Sequence, residues 1–413
     1  MPFAAFGFHP ALLQGIRELG FTRPTPIQEA SIPPALDGRD LIACAMTGSG
    51  KTAAFGLPIL QRMLVGKRRG ATRALILTPT RELAAQIEQH LSDLAMHTPV
   101  SCAAIFGGVG MGPQEHALRS GVDVIVATPG RLLDHLRHSY ARLTQLEVLV
   151  LDEADRMLDM GFLPDIERVL RHLPARKQTL LFSATMPKEI AHLAERLLHD
   201  PVRIAHQRQA APASGITQAV YPVPQHLKSE LLKELILRNL VQDVLVFTRT
   251  RARTDRLAKY LTKNGIECGR LHGDRSQNQR TATMNAFKSG ELQVLVATDI
   301  AARGIDVEQL GHVINYDVPN VVENYIHRVG RTARAEAVGD AFTFVSHEEE
   351  GDLREIEKAV GRRLPRVHLP DFDYMKPPEK KVPHAGGSGA PGRRPGGRFG
   401  QRGGPNRFRR TRR

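Results

Sequence analysis

Asp152, Glu153 and Asp155 follow directly on Val148 to Leu151, four aliphatic residues in a row within the stretch EVLVLDEAD. Such a run is what a strand buried on both faces looks like. In open parallel sheets ligands bind just beyond the carboxyl ends of the strands. Carboxylates delivered to that place can divide the work, one holding Mg²⁺ while a neighbour orients or deprotonates a water. The competing reading is a solvated acidic turn opening a helix, where Asp and Glu favour the positive helix end. These residues alone do not separate the two.

A second stretch, about a hundred residues upstream, does. Ala45, Met46, Thr47, Gly48, Ser49, Gly50, Lys51 and Thr52 spell AMTGSGKT, after the apolar Leu41-Ile42-Ala43 and before a segment of helical character. This is a phosphate-binding loop in its proper context. Glycines let backbone N–H groups close around phosphates, Lys51 reaches the terminal phosphates, and the Thr52 hydroxyl ligates Mg²⁺. Ala45 stands where the general pattern has glycine, while the more demanding GSGKT end is intact. A nucleoside triphosphate with Mg²⁺ is the ligand that both stretches suit.

The elements that must position these groups are legible from hydrophobic runs. Ala74 to Leu77, Val122 to Val126, Val148 to Leu151 and Thr179 to Phe182 read as buried strands separated by helical crossovers. Between about Ala205 and Pro224 the text turns to Pro, Gly, Ser and Gln without a period and reads as a linker. Strand and helix then alternate again through Val244 to Phe247, Val294 to Ala297, Val313 to Tyr316 and Ala341 to Val345. Two α/β domains with a ligand cleft between them are expected.

Composition bounds the rest. The chain has 413 residues and a formal net charge of +14. From Lys376 onward there are 12 Lys and Arg against one acidic residue, so the body is nearly balanced. That tail is Gly, Pro and Arg with almost no aliphatics, a composition that cannot bury a core. Three widely spaced cysteines, Cys44, Cys102 and Cys268, offer neither a disulfide framework nor a zinc pattern. With no basic leader and no apolar run of membrane length, a cytoplasmic protein without a membrane partner is expected.

With Lys51 and Asp152 both in place, the chain resembles the DEAD-box RNA helicases, whose eponymous motif is Asp152-Glu153-Ala154-Asp155. The resemblance runs from about residue 3 to 365 as a series of motifs in family order. VFTRT and HRVGRTARA make it most similar to the bacterial RhlE-type subgroup. The resemblance implies an α/β fold of two tandem RecA-like parallel-sheet domains with a disordered basic C-terminal tail. The boundaries expected are 1–208 for the ATP-binding domain, 209–221 for the linker, 222–365 for the second domain and 366–413 for the tail.

The resemblance also assigns roles. GFTRPTPIQ matches the adenine-reading Q motif, with Gln28 hydrogen-bonding the base edge and Phe21 stacking on it. Pro79, Thr80 and Arg81, Gly107-Gly108, and Thr128, Pro129, Gly130 and Arg131 are implied RNA backbone contacts, with Leu132 to Leu136 beside the strand. Arg249 and Thr298 are their counterparts in the second domain. Ser183 and Thr185, with Asp155 and His327, would couple nucleotide state to strand separation. Asp306 would lie near the ribose, and Arg328, Arg331 and Arg334 recur at spacing three, with Arg331 and Arg334 implied as arginine fingers. Lys51, Asp152 and Glu153 complete the catalytic set, with Thr52 and Asp152 on Mg²⁺. The activity implied is ATP hydrolysis that locally separates short RNA duplexes. Two alternatives stay open at this point: an ATP-gated RNA clamp or scaffold with incidental hydrolysis, and a DNA-directed translocase. Partners implied are RNA and, through the tail, ribonucleoprotein or RNA-processing components.

Overall fold

Short aliphatic runs alternating with helices produce two parallel sheets in a computed structural model that describes residues 2–45, 48–65, 70–205, 216–302, 310–332 and 339–378. The first sheet holds β1 Leu41–Cys44, β2 Ala74–Leu77, β3 Cys102–Ile105, β4 Val124–Ala127, β5 Val148–Leu151, β6 Gln178–Ser183 and β7 Val202–Ala205, in the order β3-β4-β2-β5-β6-β1-β7. The second holds β8 Ile216–Pro222, β9 Val244–Thr248, β10 Gly269–Leu271, β11 Val294–Thr298, β12 His312–Asn315 and β13 Gly339–Val345, in the order β10-β11-β9-β12-β13-β8. Counted from its own first strand, each sheet runs 3-4-2-5-6-1, and β7 adds an edge to the first.

The aliphatic runs are continuous because both faces are covered. On β5, Val148 and Val150 pack into one hydrophobic core while Leu149 and Leu151 pack into another on the opposite face. On β9, Val244 and Val246 divide in the same way from Leu245 and Phe247. Successive side chains point to opposite faces, so only an unbroken apolar run serves a sheet covered twice.

Two expected boundaries change. Residues 216–222, placed in the linker up to 221, form β8, which pairs with β13 along its whole length. Gln218 and Thr217 break the apolar run there, and an edge strand tolerates them. Residues 366–375, placed in the tail, belong to the second domain: Val220 N–H donates to Pro365 O and Val367 N–H to Val220 O, both at 2.8 Å. Leu369, Phe372 and Tyr374 then pack on the core under the second sheet. Three spaced apolar residues among prolines and acids leave no periodic signature. Residues 379–413 of the tail, 209–215 of the linker and 206–208 just before it lie outside the described residues.

Candidate functional site

The phosphate-binding loop joins β1 to the helix Lys51–Val65. Lys51 is buried at the first helical position and donates from Nζ to Ala45 O at 2.9 Å, across the mouth of the loop. Gly50 takes φ of +91°, and a Cβ there would lie 2.4 Å from Gln28 Nε2, so only glycine fits. Gln28, expected to read adenine, has both ends of its amide engaged by the chain. Its Oε1 accepts from Thr25 N–H at 2.9 Å and its Nε2 donates to Gly50 O at 3.0 Å. Thr25 Oγ1 donates to Ser49 O at 2.7 Å. The Q motif thus clamps the loop from behind. Phe21 is half-buried and meets Phe3 edge-on, with centroids 6.0 Å apart. Met46 and Thr47 lie outside the described residues.

Beyond β5 the chain turns sharply. Glu153 takes φ 53° and ψ 50°, a left-handed conformation costing about 1–2 kcal/mol for a residue with a side chain. The turn buries Asp152 and Glu153 together. Burial raises the Asp152 carboxyl to about 7 against the pull of Lys51. Burial pushes Glu153 the same way, but Arg156, Lys51 and Arg331 together hold it below the usual carboxylate range. Arg156 Nη1 donates to Glu153 Oε2 at 2.6 Å. Adjacent carboxylates with opposite shifts are a pattern of divided acid–base roles. Asp152 Oδ1 is buried without a hydrogen-bond partner, which fits a cation ligand. With the Thr52 hydroxyl, at the second position of the following helix, it would supply oxygen donors of the kind Mg²⁺ prefers.

Asp155 joins this turn to the end of β6. Its Oδ2 accepts from Thr185 N–H at 2.8 Å and Oγ1 at 2.9 Å, while Ser183 Oγ accepts from Asp155 N–H at 3.1 Å. Ser183 also donates to Thr185 O at 2.7 Å. The second sheet closes over the same turn. A cleft is lined by Arg156, Phe247, Asp299, His327, Arg328 and Arg331. Burial, and Arg156 next, drive His327 down to about 3, with Asp155 and Glu153 pulling the other way. Arg331 is 4% exposed.

Arg328 and Arg331 do not share a helical face. The helix Val322–Val329 ends before Arg331, because Gly330 follows as its cap. Arg328 is consumed within its own sheet: it pairs with both oxygens of Asp299 at 2.6 Å, donates to Asn315 Oδ1 and Asp317 O, and lies over the Phe247 ring. Arg334 and Asp306 lie outside the described residues.

The expected RNA residues gather on the other half of each sheet. Pro79, Thr80 and Arg81 follow β2, Gly107 and Gly108 follow β3, and Thr128, Pro129, Gly130 and Arg131 follow β4, three strands that are neighbours. Arg249 follows β9 and Thr298 ends β11, again neighbours. Arg249 is 40% exposed, though Nη2 already donates to Val318 O at 2.9 Å and lies 3.4 Å from Asp352. Leu132, Leu133 and Leu136, expected beside the strand, are buried in the core that also takes Leu149 and Leu151. The helix Pro129–Leu136 therefore offers its opposite side, with Arg131 and Asp134. Across the two sheets, Glu82 Oε1 receives Gln277 Nε2 and Arg280 Nη2, each at 3.0 Å. Glu82 and Arg156 were not anticipated; the spacing of three between Glu153 and Arg156 is the signal that finds the second.

A phosphate-binding loop and paired carboxylates on one parallel sheet, faced by an arginine from a second sheet of the same order, define a P-loop ATPase of two RecA-like domains. Residues 25–193 match the DEAD/DEAH box helicase model and residues 227–336 the helicase conserved C-terminal domain model. The chain is 42% identical over 371 residues to the ATP-dependent RNA helicase CshA of Listeria monocytogenes, covering 90% of this chain and 71% of that protein. It is similar to S. cerevisiae Dbp5 bound to RNA and ADP BeF3, with TM-score 0.82, 32% identity and coverage of 90% and 97%. Against the DEAD box protein of Methanococcus jannaschii identity rises to 38% while the TM-score is 0.52, with coverage of 89% and 99%. The chain belongs to the DEAD-box ATP-dependent RNA helicases. It is an RNA-dependent ATPase that unwinds short RNA duplexes and remodels RNA.

Proposed function

We propose that closure of the two sheets completes a single hydrolysis site and a single RNA groove at once. The observation that carries this is Arg331, whose charge, from the second sheet, helps hold the Glu153 carboxyl of the first sheet ionised. ATP is bound on the first sheet, with Gln28 and Phe21 at the base, the loop Ala45–Lys51 around the phosphates and Asp306 from the second domain near the ribose. Thr52 and Asp152 would hold Mg²⁺, which when bound neutralises charge on the phosphate oxygens. Glu153, kept ionised by Arg156, accepts the proton of the attacking water. Arg331 and Arg334 compensate charge on the transferred phosphoryl group. Asp155, tied to Ser183 and Thr185 and facing His327, links the state of the nucleotide to the RNA side.

On that side Pro79, Thr80, Arg81, Gly108, Thr128 to Arg131, Arg249 and Thr298 take the sugar–phosphate backbone with little sequence preference. A groove that favours a bent single strand melts a short duplex locally, and hydrolysis reopens it. The domain spans are those of the two sheets, with the linker between β7 and β8. The basic residues after Lys376, with Phe399 and Phe408, attract RNA phosphates and serve ribonucleoprotein partners. VFTRT and HRVGRTARA support membership of the RhlE-type subgroup, and three widely spaced cysteines without a disulfide pattern support the cytoplasm.

The test is multiple-turnover unwinding of a short RNA duplex by Glu153→Gln. The substitution keeps size and most hydrogen bonding but removes the proton acceptor. Sustained unwinding collapses while ATP-dependent retention on single-stranded RNA lengthens. Unwinding at the unmodified rate would make hydrolysis incidental and the protein a clamp.

A further inference from the structure

We infer that Gln114 and His135, which belong to no motif, are positioning residues that brace the loop of residues 106–110 against the helix Pro129–Leu136, so that Arg81 and Arg131 grip RNA as one rigid unit. The inference rests on the reading of those two arginines as RNA contacts. Gln114 Nε2 donates to Phe106 O at 3.0 Å and lies 3.4 Å from Gly110 O, the two ends of the loop. Its Oε1 faces His135 Nε2 at 3.4 Å, and His135 Nδ1 faces the Tyr140 hydroxyl at 3.0 Å. One tautomer satisfies every group: Nε2–H donates to Gln114, and Nδ1 accepts from Tyr140. Burial, then Arg131 and His138, lower the pKa of His135 and favour this neutral form.

Other contacts land on the same loop. Arg131 Nη1 donates to Val109 O at 3.0 Å. Gly108 takes φ of +85°, and a Cβ there would lie 1.9 Å from Arg81 Nη1. The loop is therefore a spacer between the two arginines, bounded by Arg81 on one side and by Arg131 and Gln114 on the other. Gln114 is 6% and His135 0% exposed. If packing were the whole role, apolar residues of similar volume would serve without the cost of burying an amide and an imidazole. What the polar groups add is directed hold on the carbonyls of a loop that has no strand partner of its own, and freely mobile contacts bind a ligand more weakly because binding must then order them.

The test uses the full chain and three variants, with RNA-stimulated ATPase measured against RNA and against ATP, and thermal melting as a check on folding. Gln114→Met keeps volume and removes the hydrogen bonds; it should raise the RNA concentration for half-maximal ATPase about five- to tenfold. The turnover at saturating RNA and the KM for ATP should each stay within about twofold, a split that loss of packing would not produce. Tyr140→Phe removes one hydroxyl from the end of the chain and should raise the same RNA concentration about twofold. An unchanged RNA requirement in folded Gln114→Met overturns the inference, as does an unchanged requirement in Tyr140→Phe should Gln114→Met not fold. Arg81→Ala separates the two levels. If it leaves the RNA requirement unchanged, the RNA reading of the groove fails; if it weakens RNA while Gln114→Met does not, only the brace fails.

Discussion

Lys51 and Lys228 hold the same place in two sheets of the same strand order: each is the first residue of the helix after its sheet's first strand. Around Lys51 the chain supplies glycines and an open phosphate-binding loop. Around Lys228 it supplies Val223, Pro224 and Leu227, and the ammonium is sealed in. Lys228 Nζ donates to Tyr316 O at 2.8 Å, to Phe344 O at 3.1 Å and to the Glu349 carboxylate, so all three hydrogens are taken. The position after β5 carries Asp152 with an unpartnered oxygen. The corresponding position after β12 carries Tyr316, and the carboxylate next to it, Asp317, is buried and paired with Arg253. The same frame thus becomes a nucleotide site in one half and an internally neutralised structural centre in the other. From the second sheet, Arg331 lies near enough for its charge to help hold the Glu153 carboxyl low.

The sharpest way to break this comparison is to delete both lysines in turn. Lys51→Met should reduce ATP turnover by about 10²- to 10³-fold, the scale of losing one preorganised charge at a reacting centre. Lys228→Met should leave the KM for ATP in place and instead lower stability by about 3–5 kcal/mol, because it strands the Glu349 carboxylate in the interior. Urea unfolding reads the second effect. A loss of ATP affinity in Lys228→Met would mean that the second centre is not merely structural.

Gln28 sharpens the account of the first sheet. Its amide faces Thr25 and Gly50, so nucleotide must either exchange those bonds or be sensed through the loop. Gln28→Ala should cut the preference for ATP over GTP by about tenfold, measured as the ratio of the two kcat/KM values. An unmodified protein that uses ATP and GTP equally removes the adenine role altogether.

The smallest expected effect is one of pH. His327 is held near 3, well below its ordinary 6.5. The unfolded chain therefore binds the extra proton first, and the stability from a neutral His327 is fully present above about 6.5 and is lost as pH falls toward 3. His327→Gln should flatten that acid limb in melting temperature against pH. An unaltered limb would assign it to other groups.

Strand-borne motifs were readable because a strand buried on both faces announces itself and ends at the functional edge. AMTGSGKT and DEAD each follow such a run, and the structure brings Lys51, Asp152 and Glu153 together with Arg331 within electrostatic reach of Glu153. What was not readable had no period. β8 mixes Thr217 and Gln218 into its run, and the packed segment 366–375 hides three anchors among prolines and acids. Spacing alone did not separate Arg328 from Arg331: both line the cleft, but Arg328 is taken up by Asp299, Asn315 and Asp317. Gln114 and His135 meet only in three dimensions, and nothing in their local text marks them.

The claim that the nucleotide site is completed across the two sheets is tested most directly by Arg331→Ala, comparing RNA-stimulated turnover with equilibrium ATP binding in the same protein. The account predicts turnover lower by about 10³-fold or more, with ATP affinity within about threefold of the unmodified value, because Arg331 meets the phosphoryl group only on closure. Near-normal turnover, or an equal loss in both quantities, would contradict it.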